Sequence, residues 1–195
     1  NINCNIYTSP HIQKINERFI YNDEEITDEN LAKLLTEVEE INGGEPITYF
    51  EILTAAFFYY AKNFDNINLI ESGLFHRFDA TNIINKNIAS IITAIGLDHL
   101  DWLPRNEQTL EKIVYEKTSS LLNSKIIIGK QPDIETLDII KKNISSNNSK
   151  KIIFNEQFTC LENENGFVYY EDENSGLKLP KPNVLGEFQI ENVAT

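Results

Sequence analysis

Methionine is absent from the 195 residues, and cysteine occurs only at Cys4 and Cys160. Two such cysteines make no disulfide framework and read as reduced thiols. Basic residues are scarce: 17 Lys and Arg face 30 Asp and Glu, a formal net charge of −13. Nucleic acid and anionic membrane both need a positive footprint, which excludes them as partners. No apolar run approaches the roughly 20 residues that span a bilayer, and no signal peptide opens the chain, so a cytoplasmic location is expected. A phosphate cradle of the form G-x-x-x-x-G-K-S/T is also missing. What remains is ordinary for one globular domain, with 41% hydrophobic and 24% charged residues. The length is enough to bury a core.

Residues 2–7 read as a short strand leading into a loop with Pro10. From Thr27, an N-cap followed by Asp28 and Glu29, the apolar positions Leu31, Leu34, Leu35, Val38 and Ile41 predict an amphipathic helix that Gly43-Gly44 ends. Thr48 and Glu51 form a capping box for a second, largely apolar helix. Strands are expected at 67–70 and 89–95, a helix over 107–122, a strand at 126–128, a helix from Pro132-Asp133 and a strand at 152–154. The style then changes to short strands at 158–161, 167–170 and 177–179, separated by Asn- and Glu-rich turns. The expected fold is α/β, mainly a parallel sheet flanked by helices, with a small antiparallel β addition near 157–180.

In a parallel sheet, ligands gather at the carboxyl ends of the strands. Glu71 follows the first of the two apolar runs and Asp98-His99 follows the second, with Glu116-Lys117 on the next helix. Taken alone, Glu71 reads as a solvated strand end, Ser9 as a turn former before proline, His99 as a hydrogen-bond partner of Asp98 and Lys117 as a surface lysine.

Longer stretches alter that balance. Glu71-Ser-Gly-Leu-Phe-His-Arg-Phe-Asp-Ala-Thr-Asn82, Gly96-Leu-Asp-His99 and Glu111-Lys-Ile-Val-Tyr-Glu-Lys117 resemble the central ATPase domain of the folylpolyglutamate synthase/dihydrofolate synthase family, within the Mur ligase superfamily. Tyr7-Thr-Ser-Pro-His11, Asn16-Glu-Arg18 and Gly186-Glu-Phe-Gln-Ile-Glu-Asn192 resemble further motifs of that family in the same order. The resemblance implies a ligase that adds L-glutamate to dihydropteroate or folate, with ATP phosphorylating the acceptor carboxylate. It implies Mg²⁺ held by Ser9 and Glu71, and a second metal held by His99 and a carbamylated Lys117. His99 and Lys117 are thereby also catalytic candidates. Arg77, Asn82, Gln189 and Asn192 are expected near the nucleotide, and Asn16, Glu17 and Arg18 near the pterin-containing substrate. For Arg77, Asn82, Gln189 and Asn192, local hydrogen bonding is an equal alternative.

A negative overall charge does not exclude ATP, because a nucleotide site depends on local donors and a metal. The resemblance further implies that the chain is part of a central ATP-binding domain, cut from a parent whose phosphate loop precedes Asn1. A C-terminal domain of the same parent would follow Thr195, and the isolated piece would be inactive. Two departures stand out. The family's Gly-Leu-Gly-Gly-Arg is Gly73-Leu-Phe-His-Arg77 here, so the loop must take another path if either missing glycine needed positive φ. Its Gly-Arg-His-Gln is Gly186-Glu-Phe-Gln189. A Mur-type ligase with another acid substrate and a degenerate, non-catalytic nucleotide-binding domain are the alternatives.

Overall fold

The computed structural model describes residues 2–162 and 166–195 and divides the chain into two compact units, Asn1–Ile83 and Ile84–Thr195. The first unit is built on a four-stranded sheet. Strands β1 (Cys4–Tyr7), β2 (Phe19–Tyr21), β3 (Glu24–Glu25) and β4 (Ile67–Ile70) lie in the order β3-β2-β1-β4. The pairing of β1 with β4 is parallel, from Cys4 opposite Ile67 to Tyr7 opposite Ile70, whereas β1–β2 and β2–β3 are antiparallel.

Helix α1 (Asp28–Asn42) begins where Thr27 accepts the Asn30 N–H and stops at Gly43, whose φ of 66° suits a residue without a Cβ. Its spacing of Leu31, Leu34 and Val38 turns one stripe inward. Helix α2 (Tyr49–Ala61) starts from the Thr48–Glu51 capping box and packs against α1. The Phe57 ring joins helix to sheet, with centroids 5.0 Å from Tyr7 and 5.4 Å from Tyr21. Both phenols find partners in the core. The Tyr7 hydroxyl lies 3.1 Å from Thr54 Oγ1, and that of Tyr21 donates to the Phe57 carbonyl at 3.3 Å. Burial pushes both hydroxyl pKa values up.

One buried polar residue sets the strand register. Asn5, fully buried in β1, donates from Nδ2 to Asn68 Oδ1 at 2.8 Å. Its Oδ1 accepts from the Asn22 N–H and from Asn66 Nδ2, each at 3.1 Å. A buried amide with all these partners permits only one alignment of β1, β4 and the β2–β3 turn.

The second unit contains the parallel array β5-β6-β7, formed by β5 (Ala89–Ile92), β6 (Lys125–Ile128) and β7 (Lys150–Ile153). Helices α3 (Leu110–Thr118) and α4 (Ile134–Asn143) connect these strands and pack on each other. Ile113, Val114, Ile126, Ile128 and Ile140 are fully buried, each stabilising by about 1.5–3 kcal/mol through removal from water. Strands β8 (Phe158–Glu162), β9 (Phe167–Asp172) and β10 (Gly176–Pro180) form the expected antiparallel meander. The expected turn at 163–165 lies outside the described residues. Helix α5 (Phe188–Ala194) rests on β8, closing a small core of Phe154, Phe158, Cys160, Val168 and Ala194.

Several expected boundaries shift, two of them by three residues or more. The strand predicted over 89–95 ends at Ile92, because the Ile95 N–H bonds to the Gln131 side chain instead of to a strand. The helix predicted over 107–122 spans only 110–118. Thr109 caps it by accepting the Lys112 N–H, and Glu107 stands before that cap.

Candidate functional site

Glu71 is the first residue past β4, and its N–H still donates to the Tyr7 carbonyl at 2.9 Å. Its Oε2 accepts the Ser9 backbone N–H at 2.7 Å. Among the described residues Oε1 has no hydrogen-bond partner, and Glu71 is exposed, so one oxygen remains for a cation. The Ser9 contact with Glu71 runs through the main chain, and the hydroxyl expected to serve the metal takes no part in it.

The loop after Glu71 is organised by Asp79. Asp79 Oδ2 accepts the Leu74 N–H at 2.9 Å, while Oδ1 accepts the Thr81 N–H at 3.0 Å and the Thr81 hydroxyl at 2.6 Å. The Asp79 carbonyl then receives the Asn82 N–H at 2.9 Å. This places Asn82 at the end of a closed turn, with the Arg77 guanidinium 3.9 Å over the Phe78 ring. The Phe75-His76 departure needs no special backbone: φ at Phe75 is −119°, and neither residue has positive φ. Gly73 is the restricted position, since a Cβ there would sit 2.6 Å from Phe50 Cζ. His76 is pushed below the usual histidine range by desolvation.

Residues 11–18 form a second loop of the same unit. Asn16 is buried, and its Nδ2 donates to the Ile26 carbonyl at 2.9 Å and to Asp28 Oδ1 at 2.8 Å. Glu17 gathers the backbone N–H groups of Ile12, Gln13 and Lys14 at 2.8, 2.8 and 2.7 Å, which hold its carboxyl below the ordinary range. Arg18 is buried, donates from Nε to His11 Nδ1 at 2.9 Å and lies 6.0 Å from the Tyr49 ring centre. Asn16 and Glu17 therefore shape the loop that carries Arg18.

The second unit holds the other expected metal ligands. His99 sits beyond the 93–98 loop rather than directly past a strand, with φ of 55°. Asp98 Oδ2 lies 3.4 Å from His99 Nδ1 and 3.6 Å from Lys117 Nζ, so Asp98 is the group that gathers His99 and Lys117. Lys117 is in the last turn of α3, its side chain 23% exposed, which is far from a freely solvated surface lysine. Just before it, the buried Glu116 pairs with Lys112 at 3.2 Å, and Lys112 pairs with Glu107 at 2.8 Å. The hydrogen bonds to Glu107 and Glu116 raise the Lys112 pKa. In α5, Gln189 Oε1 accepts from Asn192 Nδ2 at 3.2 Å, a local pairing of the two expected nucleotide contacts. Gly186 before it has φ of 115°, whereas Glu187 is in the ordinary helical region.

Asp79 and Asp98 are candidate functional positions that the sequence does not single out. Each stands inside one of the family-like motifs, and the adjacency of Asp98 to His99 is the available signal. Among the described residues no group of three or more His, Cys, Asp or Glu side chains is set to hold a metal ion. An octahedral Mg²⁺ retains several waters and needs few protein oxygens, so a lone carboxylate such as the exposed Glu71 of the first unit is chemically sufficient to hold one. No helix among the described residues is long and apolar enough to cross a membrane.

No family model matches the chain. It is 31% identical over 208 residues to the dihydrofolate synthase/folylpolyglutamate synthase of Bacillus subtilis, covering 96% of this chain and 46% of that protein. The protein of the same name from Haemophilus influenzae is 34% identical over 131 residues, covering 66% of this chain and 29% of its own length. The chain thus spans about half the length, or less, of the curated relatives it matches. A crystal structure of the bifunctional folylpolyglutamate synthase/dihydrofolate synthase of Yersinia pestis superposes with a TM-score of 0.80 at 26% identity, over 99% of this chain and 45% of that one. Another solved structure of a bifunctional synthase, with Mn, AMPPNP and L-glutamate bound, gives a TM-score of 0.77 at 26% identity. It covers 99% of this chain and 45% of its own.

Proposed function

The chain belongs to the folylpolyglutamate synthase/dihydrofolate synthase family, and on that premise we propose that it supplies nucleotide- and metal-facing elements of an ATP-dependent ligase joining L-glutamate to dihydropteroate or folate. The observation that carries this reading is Glu71, an exposed carboxylate at the carboxyl end of a parallel strand with one oxygen tied to the Ser9 N–H. We read residues 1–195 as part of a central ATP-binding domain.

A free carboxylate is a poor acyl donor. In the proposed reaction an oxygen of the acceptor carboxylate bonds to the terminal phosphorus of ATP as the bond to ADP breaks. The α-amine of glutamate then attacks the acyl carbon, and phosphate departs with the former carboxylate oxygen. Mg²⁺ at Glu71 would neutralise phosphate charge and orient the transfer. Ser9 holds Glu71 in place through its amide. Asp79 closes the turn that carries Arg77 and Asn82, which would meet phosphate oxygens. Asp98 keeps His99 and Lys117 beside each other. A carbamate on Lys117 would add an anionic oxygen facing Asp98, an arrangement that a cation between them would stabilise. Arg18, on the loop braced by Asn16 and Glu17, would face the pterin-containing substrate.

The test is Glu71→Gln in the whole ligase, assayed by incorporation of L-glutamate into dihydropteroate and folate with release of ADP. Loss of one charge-stabilising group is expected to lower turnover about 100-fold, and a variant within twofold of the parent would refute the reading. Lys117→Ala should be similarly impaired and partly restored by bicarbonate or a small carboxylic acid, whereas full activity of that variant excludes a catalytic Lys117. Residues 1–195 alone contain no G-x-x-x-x-G-K-S/T loop and are expected to bind ATP weakly and to be inactive. Tight Mg²⁺-dependent ATP binding in a calorimeter would overturn that expectation.

A further inference from the structure

Two glutamines bracket the segment that carries Asp98 and His99. Gln131, just past β6, uses both ends of its amide on the exits of neighbouring strands. Its Oε1 accepts the Ile95 N–H at 3.0 Å, and its Nε2 donates to the carbonyls of Thr93 at 3.1 Å and Gly129 at 3.0 Å. Thr93 and Ile95 lie on the loop leaving β5, and Gly129 lies on the exit of β6. The Ile95 side chain is itself buried, at 4% exposure, so this residue is pinned by both side chain and main chain.

On the far side of His99 a second amide performs the same task. Gln108 Nε2 donates to the carbonyls of Leu100 at 2.9 Å and Leu103 at 3.1 Å. Gln108 directly precedes Thr109, the N-cap of α3, and α3 carries Lys117. Between the two anchors stand Gly96, Leu97, Asp98 and His99, all exposed; the Asp98 N–H donates to the Gly96 carbonyl at 3.0 Å and the His99 carbonyl accepts the Trp102 N–H at 3.1 Å. His99 also holds a left-handed backbone, φ 55°, which is uncommon outside glycine and needs surrounding structure to maintain it.

We propose that Gln131 and Gln108 are positioning residues, holding the 96–99 segment so that Asp98 and His99 stay against Lys117 on α3. A neutral primary amide suits both places. Gln131 must accept from one N–H while donating to two carbonyls, which neither an acid nor an amine can do alone. Gln108 must donate twice from one nitrogen, at the boundary between the segment and the helix. The two amides fix the chain on either side of Asp98 and His99 through five hydrogen bonds to its main chain and to the exit of β6. The proposal rests on reading Asp98, His99 and Lys117 as part of a metal site, and the experiment separates the two ideas.

Gln131→Met and Gln108→Met retain side-chain length and remove the amide, and both are made in the 195-residue chain. Amide hydrogen exchange at residues 95–100 reads the clamp, and Mn²⁺-induced broadening of the His99 ring protons reads the metal site. Loss of these hydrogen bonds should speed exchange at 95–100 about tenfold while the amides of β6 and α4 stay protected. The Mn²⁺ concentration that half-broadens His99 should rise by a similar factor. Unchanged exchange in both variants overturns the clamp. Faster exchange with unchanged Mn²⁺ sensitivity overturns the positioning role and leaves a purely structural brace. A parent chain whose His99 ignores Mn²⁺ defeats the metal reading, and the exchange arm still decides the clamp. If either methionine variant fails to fold, Gln131→Glu and Gln108→Glu, which keep an acceptor and lose the donors, give the same readings.

Discussion

Replacing Asn5 with alanine tests the claim that one buried amide sets the register of the first sheet. Asn5 makes three side-chain hydrogen bonds, to Asn68, Asn22 and Asn66, at 2.8, 3.1 and 3.1 Å. A typical intramolecular hydrogen bond contributes about 1 kcal/mol net, and a partner left unsatisfied in a buried setting costs about 1–3 kcal/mol. Asn22, Asn66 and Asn68 all reach solvent and recover part of their loss. The expected destabilisation of Asn5→Ala is therefore about 2–4 kcal/mol. Urea unfolding followed at the amide resonances of β1 and β4 measures it directly. Asn68→Ala breaks one bond and leaves the buried Asn5 Nδ2 without that acceptor, and should cost about 1–2 kcal/mol in the same assay. A loss below about 0.5 kcal/mol for Asn5→Ala, or equal losses for the two variants, would refute the register argument. The Asn5 variant should also loosen the Ser9–Glu71 contact at the other end of the same strand pair, seen as faster exchange of the Ser9 amide.

Gly73→Ala places a methyl group 2.6 Å from Phe50 Cζ and 3.1 Å from Asp79 Oδ2, so the loop or the ring must move. A destabilisation of about 1–3 kcal/mol is expected in thermal melts, and a variant as stable as the parent would show that Phe50 swings away freely. Acid should act through the lowered carboxylates. Glu17 is held down first by the Ile12 N–H and then by those of Lys14 and Gln13, and Asp133 by the Thr136 N–H. Both bind protons less readily folded than unfolded, so their contribution is complete above the ordinary carboxylate pKa of about 4 and is lost as pH falls through the lower folded values. His76, lowered by desolvation, adds a separate loss. Its unfolded form takes up a proton below about pH 6.5 while the folded form resists, so stability should begin to decline there, and His76→Gln should remove that early part of a pH–melting curve.

Helix caps and turn residues were the most legible parts of the chain. Thr27, Gly43, Thr48, Glu51 and Asp133 announce local geometry through their own side chains or lack of one, and the structure uses each as expected. The strand 67–70 was legible for a similar reason, as an isoleucine-rich run bounded by polar residues. The end of β5 was not. Thr93, Ala94 and Ile95 continue an apolar run, and only the distant Gln131 amide diverts the Ile95 N–H from the ladder. The strand Phe19–Tyr21 was also missed, because three residues carry too little periodicity and its pairing with β1 is made across an intervening loop. At the candidate site, motif wording located Glu71, His99 and Lys117. The adjacent Asp98 was legible as a partner of His99, but the contacts made across elements were not. Asp98 meets Lys117 across two elements, and the part of Ser9 that meets Glu71 is its backbone, which no side-chain pattern encodes.

Glu17 has a consequence for where phosphate can go. The three consecutive N–H groups of residues 12–14 converge as they would around an incoming anion, but the chain supplies its own carboxylate to fill that concavity. The turn is self-inhibited as an anion receptor: a phosphate oxygen could enter only by expelling a charge already bonded three times. That pocket of N–H groups is thereby closed to phosphate, and the positive charge of the loop lies with Arg18, bonded to His11 and near the Tyr49 ring.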